Sequence, residues 1–250
     1  MGFRDWSRGK ISDLSDTYKQ KSSNFGAMEA AVFGSEDHSL PIDKVRYVVI
    51  DSELTGLDAK KDSIVSLGAI RMLGTRILLG ETFDRLVSPE TKLTGASVVI
   101  HGITPGEVAE KPSIEAVLPE FLSFCGDDIM VGYMPVIDLT FLNRETKRLY
   151  GISVKNLIID VFALDKWRRQ RIGEDSSGCP SLYDIAKSFD VPVKGAHNAV
   201  ADAFITAQVL QRLLPVLIDL GIKSVGELLA VSNPAKGGDK FRFSFKFGNF

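Results

Sequence analysis

An excess of positive charge is missing from this chain. Its 250 residues carry 30 Lys and Arg against 32 Asp and Glu, for a formal net charge of −2. That balance excludes a protein that coats nucleic acid through its bulk field. It leaves room for an enzyme that grips one strand end through local contacts or bound cations. Cysteine is scarce: Cys125 and Cys179 are the only two, too few for a disulfide framework or a zinc pattern. Long apolar runs are also missing, since no window approaches the roughly 18 apolar residues of a membrane helix. The longest apolar region, around Leu213 to Leu220, is interrupted by Pro215 and Asp219. The opening Met-Gly-Phe-Arg-Asp-Trp has no apolar stretch behind its charges, so no secretory signal is expected. These absences together predict a cytoplasmic protein with no membrane partner. What remains is ordinary globular composition, 44% hydrophobic and 25% charged, enough for one sizeable core.

Residues 1–43 are polar and mixed in charge, and read as an N-terminal extension. The run Val45 to Ile50 is β-branched and ends at Asp51, the pattern of a buried strand. Ser63 to Met72 and Arg76 to Val87 read as two more strands, joined through a turn at Gly74. Thr104 followed by Glu107 has the spacing of a capping box. Ser113 to Phe124 is amphipathic, with Pro119 as a candidate kink. Short strands at Asp128 to Val131 and Leu157 to Ile159 then alternate with helices over Ile137 to Leu149, Val161 to Arg171, Ser181 to Phe189 and Asn198 to Leu214. Three opening strands followed by this alternation predict an α/β fold with a mixed β-sheet flanked by helices. The body is expected over residues 44–220. Residues 221–250 read as a C-terminal extension, in which Phe241, Phe243, Phe245 and Phe247 alternate on one strand face after a Gly237-Gly238 linker.

Asp51 and Glu53 stand two apart at the end of the first strand, so their side chains share a face. Two carboxylates so placed repel unless a cation lies between them. Mg²⁺ and Mn²⁺ favour such oxygen ligands. Asp138 opens a helix, and Asp202 lies in the first turn of the last long one. His197 precedes Asp202 by five residues, which on one helix would set them about 140° apart. His197 is therefore expected in the loop after Gly195, with Asn198 near the helix cap. Each residue alone has a plainer reading: strand-end acids, a helix cap, a loop histidine.

Taken together they resemble a family. Val48-Val49-Ile50-Asp51-Ser52-Glu53-Leu54-Thr55-Gly56-Leu57 resembles the first motif of the DEDD exonucleases. Val131 to Asp138 resembles the second, and His197-Asn198-Ala199-Val200-Ala201-Asp202 the third, in its histidine form. Ile100-His101-Gly102-Ile103-Thr104 is similar to a segment the family places between the first two. The resemblance covers about residues 45–214 and is nearest to the proofreading epsilon subunit of bacterial DNA polymerase III and its stand-alone relatives. It implies a ribonuclease H-like fold and two divalent metal ions, Mg²⁺ or Mn²⁺. Asp51 would bridge both ions, Glu53 and Asp202 would complete one site, and Asp138 would serve the other. His197 would act as base toward the attacking water, and Leu54, Thr55, Gly56, Leu57 and His101 would contact substrate. The implied partners are nucleic-acid 3′ ends, single-stranded or frayed, and a DNA polymerase or repair protein. Two departures stand out: Tyr133-Met134 replace a His-Asn start to the second motif, and Ile137 replaces an aromatic residue before Asp138. DNA and RNA both remain open as substrates, as does a weakly cleaving binding module.

Overall fold

The computed structural model describes residues 38–195 and 197–232. Five strands form one mixed sheet, flanked on both faces by helices. β1 (Arg46–Leu54), β2 (Ile64–Leu73) and β3 (Arg76–Leu86) are antiparallel neighbours. β4 (Ile129–Gly132) and β5 (Ile158–Asp160) add in parallel on the other side of β1, giving the order β3-β2-β1-β4-β5. The β2–β3 turn rests on Gly74, whose φ of +54° suits glycine. A Cβ there would fall 2.0 Å from the Asp43 carbonyl oxygen.

The helices are α1 (Gly95–His101), α2 (Pro105–Val108), α3 (Ile114–Cys125), α4 (Val136–Tyr150), α5 (Val161–Arg171), α6 (Leu182–Ser188), α7 (Ala199–Asp219) and α8 (Val225–Ser232). β1 alternates between two cores. Val48 and Ile50 pack with α3 and α4 through Phe121, Leu139, Phe141 and Leu142. Tyr47 and Val49 face α7 through Val209, Leu210 and Leu213. The strand's polar end inherits this alternation: Asp51 and Glu53 continue the α7 face, and Ser52 continues the α4 face.

Several boundaries move. β1 carries Asp51 and Glu53 at its end, as expected, and closes at Leu54. α1 was not read from the sequence; it is capped by Thr94, whose side chain accepts from Ser97 N. α7 continues through Pro215 to Asp219. Pro215 and Pro119 both lie on exposed helix faces, where the carbonyl that loses its partner can turn to water. α7 is thus long and apolar enough to cross a membrane by composition alone. In this fold it packs across β2 and β1 with Ile205, Val209, Leu213 and Leu217 buried.

Both expected extensions overlap the body. Ile42 is fully buried, and its N–H donates to the Lys223 carbonyl at 3.0 Å. Val225 N–H in turn donates to Leu40 O at 2.9 Å. α8 buries Val225, Leu228 and Leu229 in the same core. The body therefore takes in Leu40 and Ile42 on one side and Val225–Ser232 on the other. The Phe-rich end and its Gly-Gly linker lie outside the described residues.

Candidate active site and metal centre

The parallel pairing of β1 with β4 stops at Val49 opposite Val131. Asp51 and Glu53 lie beyond that point, near the starts of α4 and α7. On the other side of β1, Asp51 pairs with Gly68 of β2. Gly68 is where α7 comes down on the sheet. A Cβ at this position would lie 2.2 Å from both Ala199 C and Val200 N. Only a glycine lets the helix start that close, and that start places Asp202, in the first turn, over Asp51 and Glu53. Asn198 caps the helix by accepting from Ala201 N at 3.2 Å.

The ligand atoms of Asp51, Glu53 and Asp202 lie within 4.8 Å of one another. Asp138, third residue of α4, approaches from the opposite face of β1. There the Ser52 hydroxyl donates to its Oδ1 at 2.5 Å. Burial pushes the Asp51 carboxyl well above the ordinary carboxylate range, and the charges of Asp138, Glu53 and Asp202 push it further. Burial also raises Asp138, against the hydrogen bond from Ser52. Asp202 is raised by burial and pulled back by donors from Tyr183 and the His197 backbone. Its Oδ2 accepts from the Tyr183 hydroxyl at 2.9 Å and from His197 N at 3.1 Å. Its Oδ1 is buried and accepts no hydrogen bond from the described residues. Crowded carboxylates that resist ionisation, with one buried oxygen unspent, fit a hard divalent cation.

His197 lies in the loop before α7, as its spacing requires. Its φ is +64°, unusual for a residue with a Cβ. The side chain is exposed. Its ring meets that of Tyr183 edge-on at 5.4 Å, and Nδ1 is 3.4 Å from the Tyr183 oxygen.

These groups share a cleft of about 270 Å³. Leu54, Gly56, Leu57 and His101 line it, along with Ile137 and Tyr133. Thr55 does not. Its side chain is buried, donates to Asp62 Oδ1 at 3.0 Å and accepts from Ser63 N at 3.0 Å. Gly56 gives the Asp62 carboxylate room in the same loop, since a Cβ would fall 2.5 Å from one of its oxygens. The Thr55 hydroxyl is therefore engaged within this loop. His101 is buried, and its Nδ1 accepts from Ile103 N at 3.0 Å. Arg168 and Arg169 are paired with Asp165, and Arg168 also with Glu174.

The sequence reading missed three residues: Ser52, Gly68 and Tyr183. Gly68 left a signal, an isolated glycine inside a strand, which marks close backbone approach. The Ser181–Asp184 capping box places Tyr183 in the first turn of α6, but nothing in the sequence aims it at α7.

A family model described as Exonuclease matches residues 48–210. The chain is 34% identical over 171 residues to the DNA polymerase III subunit epsilon of Aquifex aeolicus, covering 68% of this chain and 81% of that one. It is 32% identical over 185 residues to the PolC-type DNA polymerase III of Caldanaerobacter subterraneus, covering 74% of this chain but spanning only 13% of that protein. Among solved structures, an Exonuclease X in complex with 5′ overhanging duplex DNA has a similar fold. Its TM-score is 0.57 at 23% identity, over 74% of this chain and 99% of that one.

Proposed function

The chain belongs to the exonuclease family whose model matches residues 48–210, and on that premise we propose that it removes nucleotides from DNA 3′ ends by metal-dependent 3′→5′ hydrolysis. One observation carries the reading: the crowding of Asp51, Glu53 and Asp202, with Asp202 Oδ1 buried and unspent. Asp51, Glu53 and Asp202 would hold one Mg²⁺ or Mn²⁺ ion. Asp138, coming from the other face of β1, would hold a second together with Asp51. When bound, such a pair stabilises charge on the attacking and leaving oxygens of a phosphodiester.

The remaining roles fall to the chain's own side chains. His197 is exposed at the cleft rim and is suited to take the proton of the water that attacks phosphorus. The P–O3′ bond then breaks and a nucleoside 5′-monophosphate leaves. The walls formed by Leu54, Leu57, His101 and Ile137 would pack against the terminal nucleotides. The polar N-terminal stretch and the Phe-rich C-terminal end are candidates for docking a polymerase or repair protein. DNA is favoured over RNA because the relatives named above are DNA polymerase III proteins.

The test is nucleotide release by the full chain from matched single-stranded DNA, a 3′-mismatched duplex and RNA, with Mn²⁺ or with EDTA. The proposal expects metal-dependent release from the DNA substrates. Preferential release from RNA would reassign the substrate, and binding without release under any condition would leave a binding module.

A further inference from the structure

We propose that Tyr183 is a positioning residue for this site, its hydroxyl locking the Asp202 carboxylate and the His197 loop into one unit. The inference rests on the nuclease reading but arises from contacts outside the acidic set. Three groups converge on one phenolic oxygen. Tyr183 donates to Asp202 Oδ2 at 2.9 Å. The oxygen accepts from His197 N at 3.1 Å and stands 3.4 Å from His197 Nδ1.

Hydrogen accounting fixes the direction of each bond. The single phenolic hydrogen is committed to the carboxylate, so both contacts from His197 must be donated by His197. The long contact therefore favours the tautomer with hydrogen on Nδ1, which leaves Nε2 as the ring's acceptor. On the other side, Oδ2 of Asp202 is saturated by Tyr183 and His197 N. That leaves buried Oδ1 as the oxygen available to a cation.

The backbone of His197 also needs such an anchor. Its φ of +64° is uncommon for any residue with a Cβ, and a restraint on the backbone helps to hold it. The N–H of His197, shared between Tyr183 and Asp202, is that restraint. Tyr183 is itself held. Leu182 and Ile185 of α6 are buried, and Ser181 and Asp184 form the helix's capping box. Just before α6, the Pro180 carbonyl accepts from the Tyr133 hydroxyl at 2.6 Å. A residue of the altered second motif thus braces the helix that positions the third.

The experiment compares wild type, Tyr183→Phe and Ile185→Val in the full chain. Tyr183→Phe keeps the ring and removes the hydroxyl, whereas Ile185→Val loosens the same helix and touches no polar partner. Mn²⁺ affinity is read by titration calorimetry, the His197 amide by NMR, and kcat and KM on a single-stranded DNA oligomer. Tyr183→Phe is expected to lose about 10–100-fold in Mn²⁺ affinity and in kcat, the usual effect of removing a partner of a metal ligand. It should leave KM nearly unchanged and move the His197 amide signal. Ile185→Val should lower the melting temperature while leaving Mn²⁺ affinity in place. Wild-type Mn²⁺ affinity with an unmoved His197 amide in Tyr183→Phe would overturn the proposal. So would losses in both variants that simply track stability. If the wild type releases no nucleotide, the nuclease reading fails, while the Mn²⁺ and NMR measurements still decide the role of Tyr183.

Discussion

Replacing Gly68 by alanine should damage catalysis more than its size suggests. The added Cβ would sit 2.2 Å from two backbone atoms at the start of α7, whereas carbon contacts settle near about 3.5–4.0 Å. The obstacle is helix backbone, so it cannot rotate away as a side chain would. α7 must lift by roughly 1 Å or β2 must sink, and β2 is held by both of its neighbours. Overpacking of this kind costs about 1–3 kcal/mol. For a chain of this size that corresponds to a few to about 10 °C in melting temperature. Because Asp202 rides on the displaced turn and Gly68 stands opposite Asp51, the carboxylates separate as well. A misplacement of about 1 Å can cost about 10²-fold in rate. Gly68→Ala should therefore fold, melt lower, and lose about two orders of magnitude in kcat on a single-stranded oligomer. A variant with wild-type kcat and melting temperature would show that α7 does not depend on this contact.

Asp51→Asn should abolish nucleotide release while raising the melting temperature of the metal-free protein. It removes a half-buried carboxylate crowded by Asp138, Glu53 and Asp202; retained activity or a lower metal-free melting temperature would argue against the crowded-acid account. His197→Ala should lower kcat by about 10²–10⁴-fold, measured near neutral pH, with the fold checked by circular dichroism. The raised carboxyls of Asp51, Asp138 and Asp202 also set a pH trend. A carboxyl raised on folding binds protons better in the folded state. Stability without metal therefore falls as pH climbs from the unfolded value of about 4 through the raised values. The melting-temperature gain on adding Mn²⁺ should accordingly widen from about pH 5 to about pH 8, and a gain that shrinks over that range would contradict the sign of these shifts.

Much of the site was legible because it sits where sequence patterns are strongest. Asp51 and Glu53 end a β-branched run, and period-two alternation puts them on one face. The five-residue gap from His197 to Asp202 forces the histidine off the helix, where the structure places it. Partners that meet through tertiary packing were less readable. Tyr183 reaches Asp202 across two helices, and Ser52 meets Asp138 because the odd and even faces of β1 carry different helices. Thr55 belongs to the motif, yet nothing in the sequence shows that its hydroxyl is engaged with Asp62 and Ser63. Pro215 read as an interruption because sequence alone does not reveal an exposed helix face, where proline is tolerated. The buried Ile42 and the helix Val225–Ser232 were read as parts of extensions because each segment is short and flanked by polar residues. Their apolar positions find the core only once the body has formed.

The most direct test of the central claim is product polarity. The full chain is incubated with a 5′-fluorescent single-stranded DNA oligomer and Mn²⁺, beside the same oligomer with nuclease-resistant linkages at its 3′ end. The account predicts a ladder of labelled products shortening one nucleotide at a time. That ladder should be absent with EDTA, with Asp51→Asn and with the 3′-protected oligomer. Immediate release of the labelled 5′ nucleotide, or equal digestion of the protected oligomer, would contradict it.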